Sequence, residues 1–205
     1  MKKLILLFAL PFAFLAGCGA EAQRELGPMP QDLKEMLVAG GCFWCVEADF
    51  EKVDGVYEVV SGYGGGSVAN PTYRNYSDNG HREVALIRYN PEIVTFEELA
   101  TLFIRTIDVT DAGGQFCDRG FGYTTAVYYG TLEEQEILER VIVEGEDEIG
   151  QDIVTPIEPL PTFYAAEDYH QDYYKKNPGR YQVYRGLCGR DRTVRSIWGS
   201  APGDA

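Results

Sequence analysis

The chain has 205 residues, of which 45% are hydrophobic, 13% aromatic and 24% charged, enough for one folded domain with a real core. Its formal net charge of −14 excludes a broad nucleic-acid-binding surface, which needs clustered Lys and Arg. No internal repeat is present, so a solenoid or array is excluded as well.

The first segment, MKKLILLFALPFAFLAGC, opens with Lys2 and Lys3 and continues as an apolar run from Leu4 to Ala16. That run is shorter than the ~20 residues of a membrane span and reads as a secretory signal. Its end, LAGC (Leu15 to Cys18), resembles the lipobox of bacterial lipoproteins. The resemblance implies a signal peptide over 1–17, lipidation of Cys18, and a small, polar, proline-bearing tether over 18–34. Lipid chains would hold an otherwise soluble domain at a membrane surface, on the periplasmic side of the cell envelope. Gly19, not Asp, follows Cys18, which fits the outer membrane of a Gram-negative host. The alternative is an ordinary signal peptide with a chance cysteine.

From Glu35 the pattern becomes regular. EMLVAG reads as a buried strand ended by glycines. After Gly41, Phe43, Val46, Phe50 and Val53 recur at helical spacing until Asp54-Gly55 stops the run. VYEVVSGY is a second strand, followed by a glycine-rich loop. REVALIRY is a third, closed by Asn90-Pro91. Thr95 and Glu98 form a capping box for a helix carrying Phe96, Leu99, Phe103 and Ile107 on one face. A second glycine-rich loop, DAGGQFCDRGFGY, leads into strand TTAVYY. The order strand-helix-strand-strand-helix-strand predicts an α+β fold, a ferredoxin-like split βαβ sandwich.

Thr131 and Glu134 cap a further helix over roughly 132–147, DIVTPIEPL is extended, and AAEDYHQDYYKK reads as a short helix. From Asn177 onward an irregular, wrapped tail is expected. The domain is placed at 35–198, with 199–205 as a disordered tail, and the molecule is expected to be a monomer.

The chemistry concentrates at GGCFWCVE. Cys42 follows Gly40-Gly41 at the start of the first helix, where unpaired N–H groups and the dipole favour a thiolate. Cys45 lies one turn on. A zinc site needs about four Cys or His ligands, but the chain has two histidines and no second CxxC. A thioredoxin-like dithiol is the stronger rival. The bulky Phe43-Trp44 pair argues instead for an apolar pocket accepting a small group. The two glycine-rich loops bring Tyr73, Tyr76, His81 and Glu83, and Cys117, Asp118 and Tyr123. A carboxylate beside a thiolate in a tyrosine-lined site would stay protonated and serve as a general acid.

GCFWC, NPTY, GHRE, QFCDRG and FYAAEDYHQDYYKKNP occur in this order across residues 41–178. Together they closely resemble the A-type peptide-methionine (S)-S-oxide reductases. The resemblance implies Cys42 as the catalytic cysteine and Glu83 as the acid that protonates the sulfoxide oxygen. It implies Phe43 and Trp44 as the aromatic pair around the substrate methyl group, with Tyr73, Asp118 and Tyr123 assisting in the pocket. It further implies a sulfenic acid on Cys42, a disulfide with a second thiol, and regeneration by thioredoxin or a thioredoxin-like reductant, with no cofactor and no metal. Free or protein-bound methionine sulfoxide would be the substrate, and the lipid anchor suggests repair of oxidised exported proteins. Three thiols are candidates for the resolving role, in the order Cys188, Cys45, Cys117. Cys45 stands where many members of the family have glycine.

Overall fold

Six strands form one mixed sheet in the order β7-β6-β1-β3-β2-β8 in the computed structural model, which describes residues 32–201. The signal-peptide, lipidation and most of the tether expectations, and residues 202–205 of the expected tail, lie outside the described residues. Among those described, no helix is long and apolar enough to cross a membrane.

Strand β1 (Lys34–Gly40) leads through Gly41 and Cys42 into helix α1 (Phe43–Phe50), which returns the chain to β2 (Val56–Gly64). The gap between β1 and β2 is filled by β3 (Arg82–Tyr89), antiparallel to both. Helix α2 (Phe96–Ile104) then carries the chain past a two-strand ribbon, β4 (Gly114–Gln115) and β5 (Asp118–Arg119), to β6 (Thr125–Tyr129), which pairs antiparallel with β1. The long helix α3 (Leu132–Ile149) follows. Short strand β7 (Ile157–Pro159) adds parallel to β6, and β8 (Phe163–Ala165) adds antiparallel to β2. Both capping boxes form: Thr95 and Glu98 bond reciprocally at α2, and Thr131 and Glu134 do so at α3.

Strand pleating sorts β3 into two faces. Ala85, Ile87 and Tyr89 join the main core with Val46, Phe50, Leu99 and Phe103 of α1 and α2. Val84 and Leu86 face the other way, against Leu37, Val60, Ala126 and Tyr128. All eight residues of the strand are buried. Glu83 therefore points to the α1 side of the sheet, while Arg82 points away, to Thr124, Tyr128 and Glu158.

Two sequence expectations are corrected. In AAEDYHQDYYKK residues 168–172 are turns, and the helix there, α4, covers only Tyr173–Lys176. Asp172 stands before it in the left-handed region at φ 53°, so the chain cannot run through as one helix. The expected irregular tail is a pair of helices, α5 (Pro178–Cys188) and α6 (Arg190–Trp198). Pro178 opens α5 where its missing N–H costs nothing. Gly189, at φ 71°, ends α5 and starts α6. Val194 and Trp198 of α6 and the following Ala201 are buried in the main core.

Candidate active site

Gly41 sets the site. Its φ of +76° suits glycine, and a β-carbon there would lie 2.5 Å from that of Gln115. This tight passage turns the chain from β1 into α1 and leaves Cys42 at the N-cap, with φ −55° and ψ 115°. The Cys42 carbonyl accepts the Cys45 N–H at 3.1 Å. The first helical N–H, that of Phe43, donates to Glu83 Oε2 at 3.0 Å. A carboxyl group from β3 thus meets one of the donors that every helix start leaves unpaired. The Tyr76 hydroxyl donates to Glu83 Oε1 at 3.1 Å, so both oxygens are fixed.

Around this contact lies a cleft of about 300 Å³, lined by Cys42, Phe43, Trp44, Tyr73, Glu83, Asp118, Tyr123 and Tyr184. All seven catalytic and substrate-binding residues expected from the sequence therefore meet in one place. Phe43 is buried and serves core and cleft together, 6.0 Å from the Tyr63 ring and 5.0 Å from His170. Trp44 stacks on Tyr173 at 3.8 Å and meets Tyr184 edge-on at 6.0 Å. Buried Glu167 braces the wall by accepting from the Tyr63 hydroxyl at 2.8 Å and the Tyr73 backbone N–H at 3.0 Å. His81 stands apart from the cleft. Its Nδ1 accepts the Gly66 N–H at 3.2 Å, so Nε2 is the protonated nitrogen and donates to the Val68 carbonyl at 2.8 Å.

The electrostatics separate the groups. Burial pushes the Glu83 carboxyl up to about 8, against the opposing pull of its two hydrogen bonds, so it is protonated at neutral pH. Burial also pushes the Cys42 thiol well above its usual range, reinforced by Cys45 and Glu83 and opposed by a hydrogen bond from Tyr184. Cys45 is drawn down to about 7 by its hydrogen bond with Cys42, against burial and with help from Arg190 and Arg185. The two thiols form one coupled dyad whose negative charge rests more easily on Cys45. His170 is depressed to about 4 by burial and stays neutral among the rings.

Cys117 and Cys188 are joined in a disulfide across 71 residues of sequence, while Cys42 and Cys45 are free and buried. Of the three candidate resolving thiols, Cys45 is thus the one free in this structure. Tyr184 was missed by the sequence reading; it comes from α5, in the segment expected to be irregular. Tyr76 was noted in the first loop but was not assigned to the site. Two groups of described residues bring three potential metal-ligand atoms within 4.8 Å of one another: Glu47, Glu51 and Asp172, and Cys117, Asp118 and Cys188. In the first, the Lys175 ammonium already sits 2.6 Å from Glu51 and 2.9 Å from Asp172. In the second, both sulfurs are committed to the disulfide.

A protein able to reduce a methyl sulfoxide needs this set: a thiol, an acid still protonated near neutrality, and an aromatic seat for a methyl group. Comparisons with known proteins agree. The family model described as peptide methionine sulfoxide reductase matches residues 34–202. The peptide methionine sulfoxide reductase MsrA 2 of Rhizobium meliloti is 52% identical over 165 residues, covering 80% of this chain and 82% of that protein. MsrA 2 of Caulobacter vibrioides is 42% identical over 202 residues, covering 97% of this chain and all of that protein. Among solved structures, reduced Mxr1 of Saccharomyces cerevisiae aligns with a TM-score of 0.71 at 30% identity, covering 78% of this chain and 94% of that one. Methionine sulfoxide reductase A of Corynebacterium diphtheriae aligns at 0.65 and 31%, covering 73% and 77%. The chain belongs to the peptide methionine sulfoxide reductase family and is an enzyme of its A type.

Proposed function

We propose that this enzyme reduces the S epimer of methionine sulfoxide by direct attack of the Cys42 sulfur on the sulfoxide sulfur, with Glu83 as the general acid. The observation that carries the reading is the Glu83 carboxyl, buried and protonated, bonded to the Phe43 N–H directly after the nucleophile. The substrate methyl group lies against Phe43 and Trp44. Tyr73, Tyr123 and Asp118 line the side where the sulfoxide oxygen would sit.

In the first step the Cys42 thiolate, formed by giving its proton to the Cys45 sulfur, bonds to the substrate sulfur while Glu83 gives its proton to the oxygen. The hydroxyl oxygen then passes from the substrate sulfur to Cys42 as the bond between the two sulfurs breaks, releasing methionine and leaving a sulfenic acid on Cys42. We infer that Cys45 then attacks that sulfur, forming a Cys42–Cys45 disulfide and releasing water. This places Cys45 ahead of Cys188 and Cys117. Its thiol is already hydrogen-bonded to Cys42 and ionises near neutrality, when the other two are bonded to each other. A thioredoxin-type dithiol would restore the pair by exchange. The yeast relative Mxr1 has been solved in complex with Trx2, which supports this kind of reductant. Lipidation at Cys18, a place in the cell envelope and repair of exported proteins complete the proposal.

An epimer-resolved assay tests the core of it. Cys42→Ser should abolish methionine release from the S epimer, and the R epimer should not be turned over by either protein. Activity retained in Cys42→Ser would reject the reading. Mass spectrometry after one turnover tests the resolving step: a Cys42–Cys188 or Cys42–Cys117 bond would displace Cys45. Labelling with radioactive palmitate and membrane fractionation test the anchor.

A further inference from the structure

The Tyr184 hydroxyl lies between two groups of the site. It donates to Asp118 Oδ2 and also reaches the Cys42 sulfur. A phenol carries one proton, so it can donate fully to only one of them at a time. The helix that carries Tyr184 is fixed to the loop that carries Asp118. Cys188 lies one turn beyond Tyr184, and its disulfide partner Cys117 immediately precedes Asp118. The pairing of phenol and carboxylate is thus closed covalently on one side and packed against the Trp44 ring on the other.

We propose that Tyr184 is a further positioning residue of this enzyme, a two-way donor that couples ionisation of Cys42 to release of the Asp118 carboxylate. With Cys42 as a thiol, the O–H is given to Asp118. When the Cys42 S–H bond breaks and its proton passes to the hydrogen-bonded Cys45 sulfur, itself a thiolate beforehand, the O–H turns to the new thiolate on Cys42. No electron moves and no other bond is broken. Asp118 is left with free lone pairs facing the cleft, where the sulfoxide oxygen gains its proton during attack. The ordering follows from geometry: the carboxylate becomes free only when the nucleophile is charged. This deepens the reading of the site given above and rests on Cys42 being the nucleophile.

The groups that face this contact are Cys45 on α1, Glu83 on β3, and Tyr73 and Asp118 from the two loops, with Arg190 of α6 behind Asp118. The test is the pH dependence of Cys42 alkylation by iodoacetamide, followed by site-resolved mass spectrometry on the full chain with the Cys117–Cys188 bond intact. Tyr184→Phe keeps the ring and removes the proton. Its alkylation midpoint should rise by about one pH unit, a tenfold loss of thiolate at a fixed pH below the midpoint. Asp118→Asn leaves the phenol only a neutral, weaker acceptor, shifts its O–H toward sulfur and should lower the midpoint. The double variant should behave as Tyr184→Phe alone, because Asp118 would act on Cys42 through the phenol.

An unchanged midpoint in Tyr184→Phe overturns the proposal. So does an unchanged midpoint in Asp118→Asn, which keeps the test decisive if the tyrosine variant does not fold. An Asp118→Asn shift of equal size with and without Tyr184 would assign the effect to direct charge and overturn it too. Because alkylation needs no sulfoxide, these outcomes are separate from failure of the reductase assignment.

Discussion

The backbone N–H of Phe43 donates to the Glu83 carboxyl at 3.0 Å, binding the start of α1 to the second residue of β3. One contact thereby places the acid beside the nucleophile and holds the aromatic residue that follows it. Removing the acidic proton while keeping the shape should isolate its chemical role. Glu83→Gln retains an acceptor for the Phe43 N–H and presents an NH2 donor to the Tyr76 hydroxyl oxygen, but cannot protonate a sulfoxide oxygen. Turnover should fall about 10²- to 10⁴-fold, the usual range for a lost general acid. The wild-type kcat/KM should decline with an apparent pKa near 8 as Glu83 ionises, and the variant should lack that limb. Steady-state assays from pH 6 to 10 check both; near wild-type turnover in the variant would exclude the acid role.

Glu47 gives a separate stability prediction. It is fully buried on α1, accepts the Asp172 N–H at 2.9 Å through Oε1, and is pushed up to about 8 by burial. A carboxyl whose folded value is raised stays protonated in the native state while the unfolded chain ionises. Stability is therefore full below the unfolded value of 4.5 and falls as pH rises toward 8. Glu83 adds a second group of the same sign. Glu47→Gln should match wild type near pH 4.5 and melt higher at pH 8, by an amount on the order of a few kcal/mol. Thermal melts at the two pH values check it, and equal differences at both would refute it.

Trp44 should separate binding from folding. Its ring lines the cleft and stacks on Tyr173. Trp44→Ala should reduce kcat/KM for the sulfoxide by about tenfold or more, with a stability loss of about 1–3 kcal/mol from the lost stacking and area. Trp44→Phe should recover most of both. Kinetics and denaturant melts on the pair provide the measurement.

The Cys117–Cys188 bond closes a long loop and fastens α5 to the cleft. Cys117→Ser should lower stability by about 2–4 kcal/mol. Non-reducing peptide mapping should find this pairing in the resting protein, with Cys42 and Cys45 free. A resting Cys42–Cys45 bond would contradict it.

The sequence was most legible where the periodicity was strong or the spacing unusual. Strand β3 occupies the same eight residues as the expected REVALIRY segment, and both capping boxes close at the residues that predict them. The end of the chain was opaque for physical reasons. Helix α5 holds two Gly and two Arg and buries only Tyr181, while the nine residues of α6 include three Arg around the short stripe of Val194, Ile197 and Trp198. Beside that stripe they dock through groups that look like surface residues: Arg190 is buried and donates to the Gly40 carbonyl, and Arg185 pairs with buried Asp49 at 2.8 Å. Tyr184 was hidden for the same reason, since its role depends on where α5 lies. Cys188 was placed in an irregular tail and ranked first among the resolving thiols because nothing in its neighbourhood signals the bond to Cys117.

The alternation of β3 has a consequence for how this enzyme tolerates length changes. Arg82 and Glu83 are adjacent but point to opposite faces, the guanidinium paired with Glu158 at 2.9 Å and the carboxyl at the cleft. A one-residue slip of this strand against β1 and β2 would act like a charge-reversing point mutation, delivering a cation to the place of the proton donor. Insertions in the preceding glycine-rich loop are therefore harmless only when absorbed before Arg82. Chemistry at this site is conditional on counting residues correctly.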